Sequence, residues 1–207
     1  MTNGSDETRH RLLEAAGEVF GEKGFRAATV REICSRADAN LAAVNYHFGD
    51  KQQLYVEAVQ FVHGGGRPPQ LPEWPAGMPP AEKLRLYIRH VLGQLLDPDR
   101  PAWQAKLMAR EITQPTDACI SLVESHIRAN FDLLNEILAD LLPPETSLSD
   151  RHLTAFSIVG QCLHFKIGKT IIGRLVGPEE SDGYDVERLA DHITQFSLAA
   201  LCNQPQV

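Results

Sequence analysis

Two short helical runs joined by a four-residue connector restrict this chain more than any other feature. Thr29 stands before VREICSR with Glu32 three residues on, the capping-box spacing that starts a helix over Val30 to Arg36. Ala37-Asp38-Ala39-Asn40 follows, in which Asp38 tolerates positive φ and Asn40 can cap the next run, LAAVNYHF. Two helices joined by so tight a turn form a helix-turn-helix candidate. Ahead of it, Leu12, Leu13, Ala16, Val19 and Phe20 recur at helical spacing between Asp6 and Lys23, and Gly24 is a natural left-handed stop. Behind it, Asp50 caps a further helix from Lys51 to about His63.

Residues 64–80, GGGRPPQLPEWPAGMPP, interrupt any regular element through four glycines and six prolines, and Leu71, Trp74 and Met78 are expected to pin this loop. Helical periodicity then resumes over 81–97, 103–114, 117–142, 150–174 and 185–202. No stretch alternates as a strand does. The expected fold is all-α with about nine helices: a three-helix N-terminal domain over 1–50 and a larger helical domain over 51–207.

Hydrophobic residues make up 43% and charged residues 23% of the 207 positions, which is the balance of a globular protein. Cys34, Cys119, Cys162 and Cys202 are too far apart for a CxxC pair and read as reduced core residues. With neither an apolar signal core nor an uncharged run of membrane-spanning length, a cytoplasmic protein is expected. No glycine-rich phosphate loop, GxSxG elbow or HExxH pair is present, and the eight histidines stand singly. An enzyme is therefore not expected, nor a cofactor, nor a metal.

The run Leu41 to Phe48 holds too many apolar or small residues for a single buried stripe. At helical spacing Val44 and Phe48 share one side, with Leu41 close by, and Ala42, Ala43 and Tyr46 share the opposite one, with Asn45 and His47 on the flanks. An outward face of small residues lets a helix backbone approach a groove, where alanine methyls meet thymine methyls. Asn45 can offer its amide to adenine or phosphate, Tyr46 and His47 can donate to phosphate, and Arg31 can reach a guanine edge. Thr29, Lys51 and the amino ends of the adjoining helices would hold the backbone. Leu41, at the head of the helix, completes the DNA-facing set. The same pattern also suits a plain three-helix packing unit whose alanines and tyrosine cover another helix. Net charge is −7 overall, and residues 1–63 hold seven lysines and arginines against nine acids, so any basic footprint is local.

The run from Arg11 to Tyr55 resembles the N-terminal domain of TetR-family transcriptional regulators. The resemblance is carried by Ala16, Phe20, Gly24 and Phe25, by the TVREI helix, and by YHFGDKQQL from Tyr46 to Leu54. Two positions depart from the family pattern: Asp38 replaces a customary glycine in the turn, and Asn45 a customary tyrosine. KLMAREITQPT from Lys106 and GQCLHFKIGKTII from Gly160 look like the CecR-like branch. The resemblance implies a homodimeric repressor on a palindromic operator of double-stranded DNA. It also implies a C-terminal ligand-binding and dimerisation domain where a small-molecule inducer triggers release. A helical protein-interaction module without DNA binding is the competing reading.

For the dimer, the apolar surplus on the last two long helices points to Phe156, Gly160, Leu163, Ile167, Ile193, Phe196 and Ala200, with a fully internal helix pair in a monomer as the alternative. Ligand candidates around the central loop are Phe61, Leu86, Trp103, Leu107, Arg110, Phe131 and Phe165, with His126 and His164 as polar partners. Each reads more readily as a core residue than as a ligand contact. Arg110 suits either a carboxylate ligand or a surface pair with Glu111.

Overall fold

A computed structural model describes residues 3–62 and 70–202, and the regular elements among those residues are all helices. In order the helices are α1 (Asn3–Ala27), α2 (Val30–Arg36), α3 (Leu41–Phe48), α4 (Lys51–Phe61), α5 (Pro80–Leu96), α6 (Ala102–Thr113), α7 (Asp117–Leu122), α8 (Arg128–Leu141), α9 (Leu148–Ile167), α10 (Lys169–Val176), α11 (Pro178–Ser181) and α12 (Val186–Cys202). The all-α expectation holds, with twelve α-helices among the described residues instead of about nine.

The added breaks have local causes. Between α7 and α8 the turns over Val123–Ile127 widen to a π-helix, which divides the expected run 117–142. The run 150–174 is split at Gly168, whose amide still bonds the His164 carbonyl at 2.7 Å before α10 begins. Pro178 starts the short α11 inside what the sequence suggested was a connector. Gly24 (φ 77, ψ 167) interrupts α1 as the glycine stop predicted, and Asp38 (φ 48) takes the positive φ expected of the turn. His63 and the glycines at 64–66 lie outside the described residues.

Packing divides the chain into two compact units, residues 1–70 with 99–129 and residues 71–98 with 130–207. The first holds the helix-turn-helix and extends past residue 50 to take in α4, α6 and α7. Its core joins Leu12, Ala16, Val19 and Phe20 of α1 to Ile33, Val44, Phe48, Leu54 and Val59, and it also buries Leu107 and Leu122. Helix α6 lies close on α1 because Gly17 has no side chain: a Cβ there would stand 2.2 Å from the Trp103 ring. The second unit buries Leu84, Ile88 and Leu92 of α5 against Leu134 and Ile137 of α8, Ala155, Ile158 and Cys162 of α9, and Leu189 and Ile193 of α12. An Arg85–Asp191 contact of 2.5 Å and an Arg85–Glu187 contact of 3.1 Å tie α5 to α12 at its surface.

Cys34, Cys119 and Cys162 are free thiols, and burial pushes that of Cys162 up to about 12. The side chain of Cys202 lies outside the described residues. Among the described residues no helix is long and apolar enough to cross a membrane.

Gly17→Ala is expected to destabilise the protein by about 1–3 kcal/mol, since overpacking against a rigid indole outweighs the gain in helix propensity. Urea unfolding measures it, and an unchanged midpoint would show that α6 can shift at no cost.

Candidate nucleic-acid interface

Helices α2 and α3 are each started by a side-chain cap. Thr29 Oγ1 accepts from Glu32 N at 3.3 Å, and Asn40 Oδ1 accepts from Ala43 N at 2.9 Å. The capping box predicted at Thr29 is half made. The Glu32 carboxylate turns away to Lys23 at 2.7 Å, so its ion pair bridges α1 and α2 instead of returning to the Thr29 amide. Thr29 is exposed, and as the cap uses only an oxygen lone pair, its hydroxyl proton is left to donate outward.

Helix α3 is anchored by the two residues expected. Val44 and Phe48 are buried, while Tyr46 is 80% exposed. The outward face is nevertheless rotated from the one predicted. Leu41, placed near the inner side, is 52% exposed, and Asn45 is exposed with it. Ala43, placed outward, is half-buried and packs on the core. The flanks are unequal for the same reason. His47 is half-buried, its ring 4.9 Å from Tyr46 and 5.9 Å from Phe48. The surface α3 offers is therefore Leu41, Ala42, Asn45 and Tyr46, with Ala43 and His47 at its edge.

Charge is distributed selectively around this surface. Arg36 is held by Glu18 and Glu22 at 3.2–3.3 Å and keeps the Glu22 carboxyl below the usual carboxylate range. Arg9 pairs with Glu57. Lys51 lies over the Phe25 ring at 4.7 Å, and burial lowers its pKa, so this proposed phosphate clamp is already in a cation–π contact. Asp50 Oδ1 caps α4 through Gln53 N at 2.8 Å, which puts a carboxylate where the sequence suggested a phosphate. Arg31 is exposed and has no carboxylate partner among the described residues.

Helix α4 follows directly and is fastened by contacts that sequence reasoning missed. Glu111 is 1% exposed, and its carboxylate accepts from Tyr55 Oη at 2.6 Å, Thr116 N at 2.7 Å and Thr116 Oγ1 at 2.9 Å. Gln52 Nε2 donates to Asp117 Oδ2 at 2.9 Å and Gln60 Nε2 to Ser121 Oγ at 2.6 Å, so α4 is stapled to α7 at both ends. The surface pair suggested for Arg110 and Glu111 is absent: Glu111 faces the core, and Arg110 donates from Nε to Gly21 O at 2.8 Å and from Nη2 to Glu22 O at 2.7 Å. No periodicity marks such a carboxylate in advance, because its partners, Tyr55 and Thr116, come from two separate segments outside its own helix.

The nine ligand candidates divide between the units. Phe61, Trp103, Leu107, Arg110 and His126 belong to the first, and Leu86, Phe131, His164 and Phe165 to the second. Phe61 and Trp103 stack at 6.4 Å over α1, Leu107 is fully buried core, and His126 is buried in the π-helical turn with Nδ1 2.7 Å from Ser125 Oγ. In the second unit Leu86 is half-buried, Phe131 stacks on Phe156 at 5.3 Å, Phe165 meets Tyr184 edge-on, and His164 is exposed.

The expected dimer residues separate more cleanly. Phe156 and Phe196 are each 60% exposed, Ile167 is more so, Leu163 is half-buried, Gly160 and Ala200 are exposed, and nothing lies within 4 Å of a Cβ built at Gly160. Ile193 is the exception. It is fully buried in its own unit's core, because the inward face of α12 runs through Leu189, Ala190, Ile193 and Ser197.

Comparisons with known proteins agree with this geometry. The profile of bacterial regulatory proteins of the tetR family matches residues 12–58, and that of the C-terminal domain of the HTH-type transcriptional dual regulator CecR matches residues 80–201. The CecR regulator of Shigella flexneri is 28% identical over 182 residues, covering 83% of this chain and 81% of that protein. The transcriptional repressor NicS of Pseudomonas putida is 30% identical over 59 residues, 28% of each chain. Among solved structures, the hemolysin II transcriptional regulator HlyIIR has a TM-score of 0.61 at 20% identity, covering 97% of this chain and 99% of its own. A TetR-like regulator from Rhodococcus sp. RHA1 has a TM-score of 0.59 at 20% identity, over 95% and 97% of the two chains. These two likenesses concern the fold.

A capped helix-turn-helix with an open recognition face, followed by a helical body, defines a DNA-binding transcriptional regulator. The chain belongs to the TetR family and carries the CecR type of C-terminal domain.

Burial, with help from the Glu111 carboxylate, raises the Tyr55 pKa above its ordinary value of 10.0. A folded-state pKa above the unfolded one contributes stability that is complete below about pH 10 and is lost as pH rises beyond it. Tyr55→Phe is thus expected to cost about 1–3 kcal/mol at neutral pH by leaving a buried carboxylate oxygen short of a donor. It should also make the alkaline loss of stability shallower. Denaturant titrations at pH 7 and above pH 10 check both, and parallel pH profiles for the two proteins would contradict the assignment.

Proposed function

We propose that the protein is a homodimeric repressor that binds a palindromic operator through α2 and α3 and leaves it when a small-molecule inducer binds. In this reading residues 1–50 carry DNA binding, and residues 51–207 carry ligand binding and dimerisation in the cytoplasm. The observation that supports it most is the unsatisfied outward surface of α3, Leu41, Ala42, Asn45 and Tyr46, beside an Arg31 with no ion-pair partner among the described residues. Leu41 and Ala42 present apolar surface suited to thymine methyls, and Asn45 presents an amide suited to adenine. Tyr46 and Thr29 supply hydroxyl donors for phosphates, and His47 and Lys51 flank them.

The twofold partner has a matching argument. Phe156, Gly160 and Ile167 of α9 and Phe196 of α12 are exposed, and a groove of about 970 Å3 between α9 and α12 is lined by Leu153, Phe196 and Ala200 among others. A second copy would cover these side chains and bring two recognition helices to about 34–36 Å, the spacing of successive major grooves. An inducer switches such a dimer only by favouring the state with the wrong spacing.

Selection from random DNA should enrich a palindrome, with affinity falling steeply as salt rises. Against that sequence, Arg31→Ala and Tyr46→Ala should each weaken binding by about 1–3 kcal/mol in fluorescence anisotropy without altering the dimer. Undiminished affinity in both would favour the protein-interaction module. Phe156→Glu with Phe196→Glu should yield monomers in sedimentation velocity, whereas a persistent dimer would place the interface elsewhere.

A further inference from the structure

The unit that holds the helix-turn-helix has a second concave feature. A cleft of about 490 Å3 lies between the end of α1, α4 and the connector from α6 to α7, and Lys23, Arg26 and Arg110 border it. No aspartate or glutamate lines it, although the chain as a whole carries a net charge of −7. The nearest buried acid, Glu111, is behind the Tyr55 and Thr116 wall, where three donors from those two residues occupy its carboxylate.

The three cations are held differently. Arg110 is immobilised by its two bonds to the carbonyls of Gly21 and Glu22, which leaves Nη1 without a hydrogen bond among the described residues. That nitrogen sits beside Gly24, where a Cβ would be 3.2 Å from it, so only the missing side chain keeps this edge of the guanidinium open. Arg26 is exposed, with no carboxylate partner among the described residues. Lys23 shares its ammonium with Glu32 at 2.7 Å and has further donors to give. Phe25 and Pro115 supply apolar wall, and Gln114 and Thr116 supply polar groups.

A fixed guanidinium edge, an exposed second guanidinium and an apolar wall recognise a carboxylate that has an apolar body, in a volume that suits a small ligand. The geometry points to a small-carboxylate site in this cleft, with the anion between Arg110 Nη1 and Arg26 and its body against Phe25 and Pro115. The site needs neither DNA nor a second copy, so its test is separate from operator release, although Tyr55, Arg110, Gln114, Pro115 and Thr116 fall within residues 51–207 and Arg110 is one of the inducer candidates.

The test is a heteronuclear NMR titration of the full chain, without DNA, using benzoate, its neutral isostere benzamide and inorganic phosphate. Benzoate should shift the amides of Gly24, Arg26, Gln114 and Thr116 saturably, benzamide should not, and phosphate should bind at least about tenfold more weakly. Arg26→Gln should weaken benzoate by about tenfold while leaving the rest of the spectrum in place. Four results would each overturn the site: no saturable shift by about 10 mM benzoate, equal binding of benzamide or phosphate, unchanged affinity in Arg26→Gln, or shifts confined to residues away from the cleft.

Discussion

The contact between Tyr55 and Glu111 sets the geometry of the DNA-binding unit. The Tyr55 ring lies edge-on to Phe20 at 4.9 Å and to Phe25 at 5.1 Å, while its hydroxyl reaches a carboxylate on α6. One side chain therefore closes the apolar core of α1 and α4 and satisfies a buried charge from a distant segment. A lone buried carboxylate would be costly, but with three donors it becomes a directional joint. Because Thr116 also caps α7, the same joint starts the helix to which α4 is stapled.

Recognition depends on that rigidity. An eight-residue helix is not stable alone, and α3 has just two buried anchors, Val44 and Phe48. Its Asn40 cap and its short path into α4 supply the remainder. A helix held this economically can leave most of its surface outward, which accounts for Leu41, Ala42, Asn45 and Tyr46 together. The neighbouring charges follow the same division: Arg36, Arg9 and Lys51 are committed within the unit, and Arg31 is not.

Helix α9 shows why an apolar stripe does not by itself reveal which side faces inward. Leu153, Phe156 and Ile167 point outward, while Ala155, Ile158 and Cys162 fill the core. The outward residues are then available to another surface, while Ile193 of α12 is consumed by the core.

Local pattern alone determined a good deal: the helical class, the turn at Asp38, the glycine break at 24, the caps at Thr29, Asn40 and Asp50, and the anchors of α3. These depend on neighbours within about four residues, so spacing suffices to find them. Tertiary structure alone decided the rotation of α3, which brought Leu41 out and Ala43 in, the loss of Glu32 to Lys23, and the fates of Glu111, Arg110 and Ile193. Each of those turns on partners outside the residue's own helix, and hydrophobic periodicity records that a face is apolar without recording what will cover it.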